Sequence, residues 1–201
     1  ALHYGGFVKR ITLFNPPGDK RYIRDYFCAK VAKSNYYYHP MDLVYLSGTL
    51  SKAYEVSFVD AIAEGLSEED SIARLAELKP DWVLFLTAGI SYRNDMQVIS
   101  RLHDSLKNCG LIATGDIYRE IGASAFEEFD FIDAIVLDFS TEDVLTYLNG
   151  HISGAIPNII HKHDGTVVDG KEQHVNGRFS IATPRWDLID LHYYSYPFER
   201  R

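Results

Sequence analysis

The 201-residue chain is poor in cysteine and in basic residues, and each shortage excludes a class of protein. Its two cysteines, Cys28 and Cys109, have no CxxC spacing or clustered histidines around them, which excludes a disulfide framework and a cysteine-based metal site. The 20 Lys and Arg residues against 28 Asp and Glu give a formal net charge of −8. Because phosphate binding requires clustered cations, we predict that nucleic acid is not a partner.

Long apolar runs and targeting segments are also missing. No apolar segment approaches the roughly 20 residues that a bilayer-spanning helix needs, and no signal peptide is recognised at the start. We therefore expect a cytoplasmic protein without membrane contact. The hydrophobic content of 46% and the charged content of 24% are typical of a globular chain long enough for one full core.

Several motifs of nucleotide and hydrolase chemistry are absent. The first predicted strand is not followed by GxGxxG, and neither GxxxxGK[ST] nor GxSxG occurs, which argues against dinucleotide binding, nucleotide hydrolysis and serine hydrolase chemistry. A phospho-receiver would need acidic residues after the first strand, where this chain has Asn15, Pro16 and Pro17. No acid–base pair follows the other strands, so we predict no catalytic residue. His161 and His163 point the same way in the predicted hairpin, but a metal would want a third ligand, for which only Asp164 in the turn is near, so we predict no metal ligand.

The stretch Trp82–Leu86 is apolar without polar alternation, and we take it as the central strand. Such a run is typical of a strand buried on both faces, as in a parallel sheet covered by helices. The small residues Thr87, Ala88, Gly89 and Ser91 follow it, and they would let a ligand approach the backbone and offer it hydroxyl and N–H groups. An ordinary strand-to-helix turn with a serine cap is the alternative interpretation.

Strand patterns alternate with helix patterns along most of the chain. We predict a flavodoxin-like doubly wound α/β domain over residues 1–150, with a five-stranded parallel sheet in the order 2-1-3-4-5. That order places the switch point between the first and third strands, so residues 15–18 would lie beside residues 87–91. Residues 151–201 are predicted to form a β-hairpin and an extended tail that links to a further domain. The strands are predicted at about 10–14, 54–61, 82–86, 110–114 and 134–137.

Helix signals and one long connection complete the pattern. Ser67 and Ser140 each stand three residues before an acidic residue, so both are predicted to cap helices. One further helix is predicted over residues 118–126. The segment 19–39 is unusually long for a connection between a strand and a helix, and long connections at this position are usually functional.

Several short motifs occur in an order that identifies a family resemblance. Residues 15–17 are Asn-Pro-Pro, Pro40 leads a leucine-rich helix, Asp60-Ala61 ends the second strand, and Pro80-Asp81 leads the third. Residues 182–190 and the tyrosines after them form a further motif. Together the motifs resemble the N-terminal cobalamin-binding domain of cobalamin-dependent radical SAM enzymes, including the segment that precedes the radical SAM barrel there.

The resemblance implies a cobalamin (corrinoid)-binding module of a radical SAM enzyme that performs methyl transfer or related radical chemistry. The corrin would lie on the carboxyl edge of the sheet, with its nucleotide tail entering beside the central strand. The radical SAM barrel of the same full-length chain would hold the [4Fe–4S] cluster and S-adenosylmethionine, because CxxxCxxC is missing here. The expected cofactor-binding residues are Asn15, Pro16, Pro17, Gly18, Thr87, Ala88, Gly89, Ser91, Gly115, Asp116, Asp138 and Ser140.

One departure from the family pattern keeps an alternative open. The family often has a Gly-Glu-Gly-Glu turn after the fifth strand, where this chain has Leu137, Asp138, Phe139 and Ser140. The alternative is a flavodoxin-like regulatory or interaction domain that binds no cofactor. Cobalamin binding distinguishes the two, because only the first should retain the coloured cofactor.

Overall fold

The structure is a computed structural model, and it describes residues 9–33, 37–150, 154–173 and 181–194. Its main feature is a seven-stranded sheet with helices on both faces. Two short strands pair separately. The strands are β1 (Arg10–Asn15), β2 (Tyr22–Ile23), β3 (Lys30–Val31), β4 (Glu55–Asp60), β5 (Trp82–Leu86), β6 (Gly110–Thr114), β7 (Ala134–Val136), β8 (Ile159–His163) and β9 (Thr166–Asp169).

Helices connect the parallel strands, and two 3₁₀ turns follow in the C-terminal segment. The longest described helix has 14 residues, and none of the described helices has the length and apolar character needed to cross a membrane. The helices are α1 (Met41–Leu50), α2 (Ala61–Glu64), α3 (Glu68–Leu78), α4 (Tyr92–Ser105), α5 (Tyr118–Ile121), α6 (Ala125–Glu128) and α7 (Asp143–Leu148).

The main sheet has the strand order β4-β1-β5-β6-β7-β8-β9. The first five of these strands are parallel, whereas β8 runs antiparallel to both β7 and β9. The sheet has seven strands where the sequence predicts five, because the antiparallel strands β8 and β9 extend the five parallel ones, and it is therefore mixed. The physical reason is that β7 would otherwise expose an unpaired edge, which β8 covers through pairs such as Val136 with Ile159.

The central strand β5 supplies the core on both faces of the sheet, as its unbroken apolar run predicts. Val83 and Phe85 belong to the cluster on one face, and Leu84 and Leu86 belong to the cluster on the other. All four side chains are fully buried. Because successive residues of a strand point to opposite faces, each face receives alternate residues of this run. The α/β class that the sequence predicts is confirmed.

Two of the predicted helix signals have different outcomes. Ser67 caps α3 by accepting the Asp70 N–H at 3.0 Å. Ser140 caps no helix, because its hydroxyl donates to Asp138 at 2.6 Å and α7 begins three residues later. The helix predicted over 118–126 is interrupted at Gly122, whose φ of 51° lies in the left-handed region and ends α5.

The described C-terminal segment, residues 181–194, packs against α1 and the end of β4. The backbone N–H of Arg185 donates to the Ser47 hydroxyl at 2.9 Å, and the Tyr194 ring stacks on His39 with centroids 4.0 Å apart. At Gly48, an added Cβ would lie 2.4 Å from the backbone oxygen of Thr183. Residues 181–194 of the predicted tail therefore pack on the domain, and Gly48 in α1 allows their close approach.

Replacing Gly48 with Ala should detach this segment although it improves the helix. In an exposed helix the change would stabilise by about 0.5–1 kcal/mol, but here the methyl group would displace the backbone at Thr183 at a cost of about 1–3 kcal/mol. We expect faster tryptic cleavage after Arg185 while the sheet stays folded. Gly89→Ala is the matched control, because its Cβ would meet only Ile117, at 3.7 Å. Unchanged cleavage of the Gly48 variant would contradict the packing described here.

Candidate functional site

All of the predicted cofactor-binding residues lie along the carboxyl edge of the parallel strands. The turns after β1, β5, β6 and β7 meet there because parallel strands end at the same edge of a sheet. Since β1 pairs directly with β5, residues 15–18 lie beside residues 87–91. We call the space between these two turns the switch-point crevice. The structure thus brings together the turns that the sequence singled out.

The guanidinium of Arg24 fills the switch-point crevice. Its Nη1 donates to the Asn15 side chain at 2.9 Å and to the Pro16 carbonyl at 3.0 Å. On the opposite wall, Nη2 and Nε donate to the two carboxylate oxygens of Asp95 at 2.5 and 2.9 Å. The side chains of Arg24 and Asp95 are both fully buried. The crevice is therefore closed by an ion pair that joins its walls.

Asp95 also engages the hydroxyl groups predicted to meet a ligand. Thr87 and Ser91 each donate a hydrogen bond of 2.6 Å to Asp95 Oδ2. Asn94 donates to the other carboxylate oxygen at 3.2 Å, and it also donates to the Pro17 carbonyl at 2.9 Å. The polar groups of the β1 and β5 turns are thus bonded mainly to one another.

Asp60 extends this network to the C-terminal segment. It accepts from Asn15 Nδ2 at 2.8 Å, from the Ala63 N–H at 3.0 Å and from the Tyr194 hydroxyl at 2.6 Å. Burial raises the pKa of Asp60 above its usual value, and these hydrogen bonds oppose the shift. Burial likewise raises the pKa of Tyr194. The crevice and the C-terminal segment therefore share one hydrogen-bond network.

The glycines of the edge have different roles. Gly115 has a φ of 139°, and an added Cβ would lie 1.8 Å from the Thr87 carbonyl oxygen, so it allows the β5 and β6 turns to approach each other. At Gly18 an added Cβ would contact the Tyr22 ring. Gly89 is exposed, and an added Cβ there would meet only the Ile117 side chain, at 3.7 Å, while its N–H donates to Asp116 at 3.0 Å. Gly89 is therefore the glycine of this edge whose backbone is both exposed and uncrowded.

An aromatic pocket of about 340 Å³ lies at the same edge, above the turn after β7. Its apolar wall consists of Tyr26, Phe27, Tyr45 and Phe139. The Tyr45 and Phe139 rings stack with centroids 5.7 Å apart, and Tyr26 meets Phe139 edge-on at 5.5 Å. Phe27 is 81% exposed, which is unusual for so large an apolar side chain. We call this feature the aromatic pocket.

Polar groups surround the aromatic pocket. Arg119 forms an ion pair with Glu172 at 2.6 Å, and its guanidinium lies 5.0 Å from the centroid of the Tyr26 ring. The Tyr26 hydroxyl donates to Glu172 at 3.2 Å, and burial raises the pKa of this tyrosine. Asp138 and Ser140 also line the pocket, where they bond to each other. The pocket suits a flat apolar group with polar substituents at its periphery.

A buried carboxyl group lies under the segment that carries Tyr26. Asp42, near the start of α1, is 1% exposed and lies near the backbone N–H of Tyr26, which opposes the rise of its pKa. Its Oδ2 has no hydrogen-bond partner among the described residues. Burial raises the pKa of Asp42 to about 7, and the charge of Asp25 adds to the shift. The desolvated carboxylate is therefore held in an unfavourable place near neutral pH.

Sequence reasoning missed three of these residues for different reasons. Asp95 was detectable, since it precedes Ile99 and Leu102 by four and seven positions and therefore falls on the apolar face of α4. Asp42 follows Pro40 in the first turn of a helix, where acidic residues are common and usually exposed. Arg24 carries no periodic signal, because it lies in the irregular segment after β1.

Within the described residues, no cluster of three or more His, Cys, Asp or Glu side chains is arranged to hold a metal ion.

Comparison with known proteins finds a solved structure with a similar fold. No protein-family model and no curated protein sequence matches the chain. Its structure is similar to that of the apo, selenomethionine-labelled, cobalamin-dependent S-adenosylmethionine radical enzyme OxsB, with a TM-score of 0.65 and 15% sequence identity. At this identity the similarity shows a shared fold and no more. The match covers 94% of this chain and 25% of the OxsB chain, so this chain spans about a quarter of that enzyme.

Proposed function

We propose that the chain is a corrinoid-binding module of a larger radical SAM enzyme. The observation that carries the proposal is the structural match to OxsB, which covers nearly the whole of this chain and a part of a much longer cobalamin-dependent enzyme. At 15% identity this match supports a shared fold alone. The support for a bound cofactor comes from the residues at the carboxyl edge of the sheet. Ligands of open α/β sheets bind at that edge.

The carboxyl edge offers a surface that suits the flat face of a corrin. Gly89 exposes its backbone at one point, and the aromatic pocket provides apolar contact at another. Residues 116–119 join them, because Asp116 accepts the Gly89 N–H and Arg119 lines the pocket. Asp138 and Ser140 would then meet the polar periphery of the macrocycle. Asn15, Thr87, Ala88 and Ser91 lie beneath this surface as its buried support.

The chemistry of the complete enzyme would be divided between this module and a radical SAM barrel. With two cysteines, this chain cannot supply three thiolates to a [4Fe–4S] cluster. The barrel would hold the cluster and S-adenosylmethionine, and the bound corrinoid would carry a methyl group or assist another radical step. The C-terminal segment, which packs on α1, would connect the module to the barrel.

Titration of the purified chain with hydroxocobalamin tests the proposal. We expect saturable binding near one equivalent, read by visible absorbance and by retention of colour on a desalting column. Gly89→Leu should weaken binding at least tenfold, because the side chain would fill the open space where the corrin approaches. Ala76→Leu is the matched control, since Ala76 is exposed in the last turn of α3, at the opposite edge of the sheet. Absence of retained colour, both here and in a longer chain with the barrel, would contradict the proposal.

A flavodoxin-like regulatory or interaction module without cofactor is the second candidate. It is favoured by one specific observation: the side chains of Asn15, Thr87 and Ser91 bond to Arg24, Asp60 and Asp95 rather than facing solvent. Under this alternative, hydroxocobalamin would pass through the desalting column without binding. The same titration therefore distinguishes the two candidates.

A further inference from the structure

The switch-point crevice is where open α/β folds ordinarily receive an extended part of a ligand. The family resemblance accordingly implies that the nucleotide tail of the corrinoid enters beside β5. The structure does not fit that prediction, because Arg24 occupies the crevice. Building on the proposed function, we infer that this module binds a corrinoid through its macrocycle alone, with no nucleotide tail in the switch-point crevice. Its ligand class therefore includes corrinoids that lack the nucleotide.

The contacts of Arg24 leave no room between the two walls of the crevice. On the β1 side its guanidinium bonds to the Asn15 side chain and to the Pro16 carbonyl. On the β5 side it bonds to Ser91 at 3.2 Å and to both carboxylate oxygens of Asp95. Its side chain has no solvent exposure. A nucleotide tail and this side chain cannot occupy the same space.

The segment that carries Arg24 is itself held in place. Tyr22 and Ile23 form the strand β2, which pairs antiparallel with β3, and both side chains are buried. The Tyr22 hydroxyl donates to Asp19 at 2.6 Å, and its ring lies 5.4 Å from the Arg24 guanidinium carbon. Arg24 thus follows an ordered strand rather than ending a loose loop.

A nucleotide tail that could bind only by displacing Arg24 from the crevice would bind weakly. The displacement breaks a fully desolvated ion pair and leaves the Asp95 carboxylate without its cation. Separating such a pair costs a ligand roughly a hundred- to several-thousand-fold in affinity. A tail lying outside the crevice avoids this cost. The affinity would then come from the macrocycle against Gly89 and the aromatic pocket.

Parallel titrations of the chain with hydroxocobalamin and with diaquacobinamide, which lacks the nucleotide, test the inference. We expect the two dissociation constants to agree within about threefold, and free α-ribazole, the nucleoside of the tail, should not compete. A tenfold or greater preference for hydroxocobalamin would overturn the inference while leaving the proposed function intact. Failure of both corrinoids to bind, to this chain and to a longer chain that includes the barrel, would overturn the proposed function and the inference with it.

A second measurement follows the crevice directly. In protein labelled with ¹⁵N-arginine, the Nε–H of Arg24, buried against Asp95, should give a signal protected from solvent exchange. Arg24→Lys assigns this signal by its loss. We expect the signal to keep its position and protection when hydroxocobalamin saturates the chain. Loss of protection on binding would show that the tail displaces Arg24 and would overturn the inference.

Discussion

Replacing Arg24 with Met is expected to lower the free energy of unfolding by about 3–5 kcal/mol. The substitution keeps most of the side-chain volume but leaves the buried carboxylate of Asp95 without its cation. It also removes the donors to Asn15 and to the Pro16 carbonyl, which join the two walls of the crevice. Urea unfolding followed by circular dichroism should show a midpoint lower by roughly 1–2 M.

An exposed ion pair provides the control for this measurement. Lys52 and Glu142 form a pair at 2.5 Å, with side chains 45% and 44% exposed. Lys52→Met should change the free energy of unfolding by less than about 1 kcal/mol, because exposed pairs are screened by water. A double variant that combines Arg24→Met with Asp95→Asn should be more stable than Arg24→Met alone, because it no longer buries an unpaired carboxylate. Equal effects of the two Met substitutions would refute the buried role of Arg24.

Replacing Asp42 with Asn should stabilise the protein by roughly 2–4 kcal/mol at pH 8. Burial raises the pKa of Asp42 to about 7, with Asp25 and Asp116 adding to the shift. The native state therefore holds the proton more tightly than the unfolded state does. The stabilising contribution of the protonated group is fully present below its unfolded pKa and is lost as the pH rises toward about 7.

Unfolding measurements at several pH values between 4.5 and 8 test this prediction. Near pH 4.5 the difference should be only about 1 kcal/mol, because Asp42 is still neutral in the native state and only the unfolded chain, with its carboxyl pKa near 4, has ionised. The difference should grow with pH and level off above pH 7. Asp104→Asn, at an exposed position of α4, should stay within about 0.5 kcal/mol at every pH. A difference independent of pH would show that the Asp42 carboxyl group does not titrate as described.

Local pattern was sufficient for the class of the fold and for the edge that carries the candidate site. The unbroken apolar run of β5 required burial on both faces, and the structure places its alternate residues in two separate clusters. The small residues after that strand indicated the functional edge because parallel strands end together. The fold class and the position of the candidate site could both be predicted, because each depends on residues that are close together in the sequence. The number of strands could not, since the pairing of β8 with β7 depends on a distant edge.

The identity of the groups that face a ligand was decided by tertiary structure. Thr87 and Ser91 have the same hydroxyl chemistry whether they meet a cofactor or Asp95, and sequence alone does not distinguish these cases. Gly89 and Gly115 are equally small, yet a Cβ at Gly89 would make an ordinary contact with Ile117, whereas one at Gly115 would clash with the Thr87 carbonyl oxygen.

The sequence by itself determined an α/β sheet and pointed to its carboxyl edge as the candidate site, because burial and turn formation depend on residues that are neighbours in the sequence. Only the tertiary structure decided that Arg24 closes the switch-point crevice. Arg24 and Asp95 are 71 residues apart, and nothing local to either residue specifies the other as its partner. The folded sheet brings β1 beside β5, and the low dielectric of that crevice then makes the pairing of the two charges obligatory.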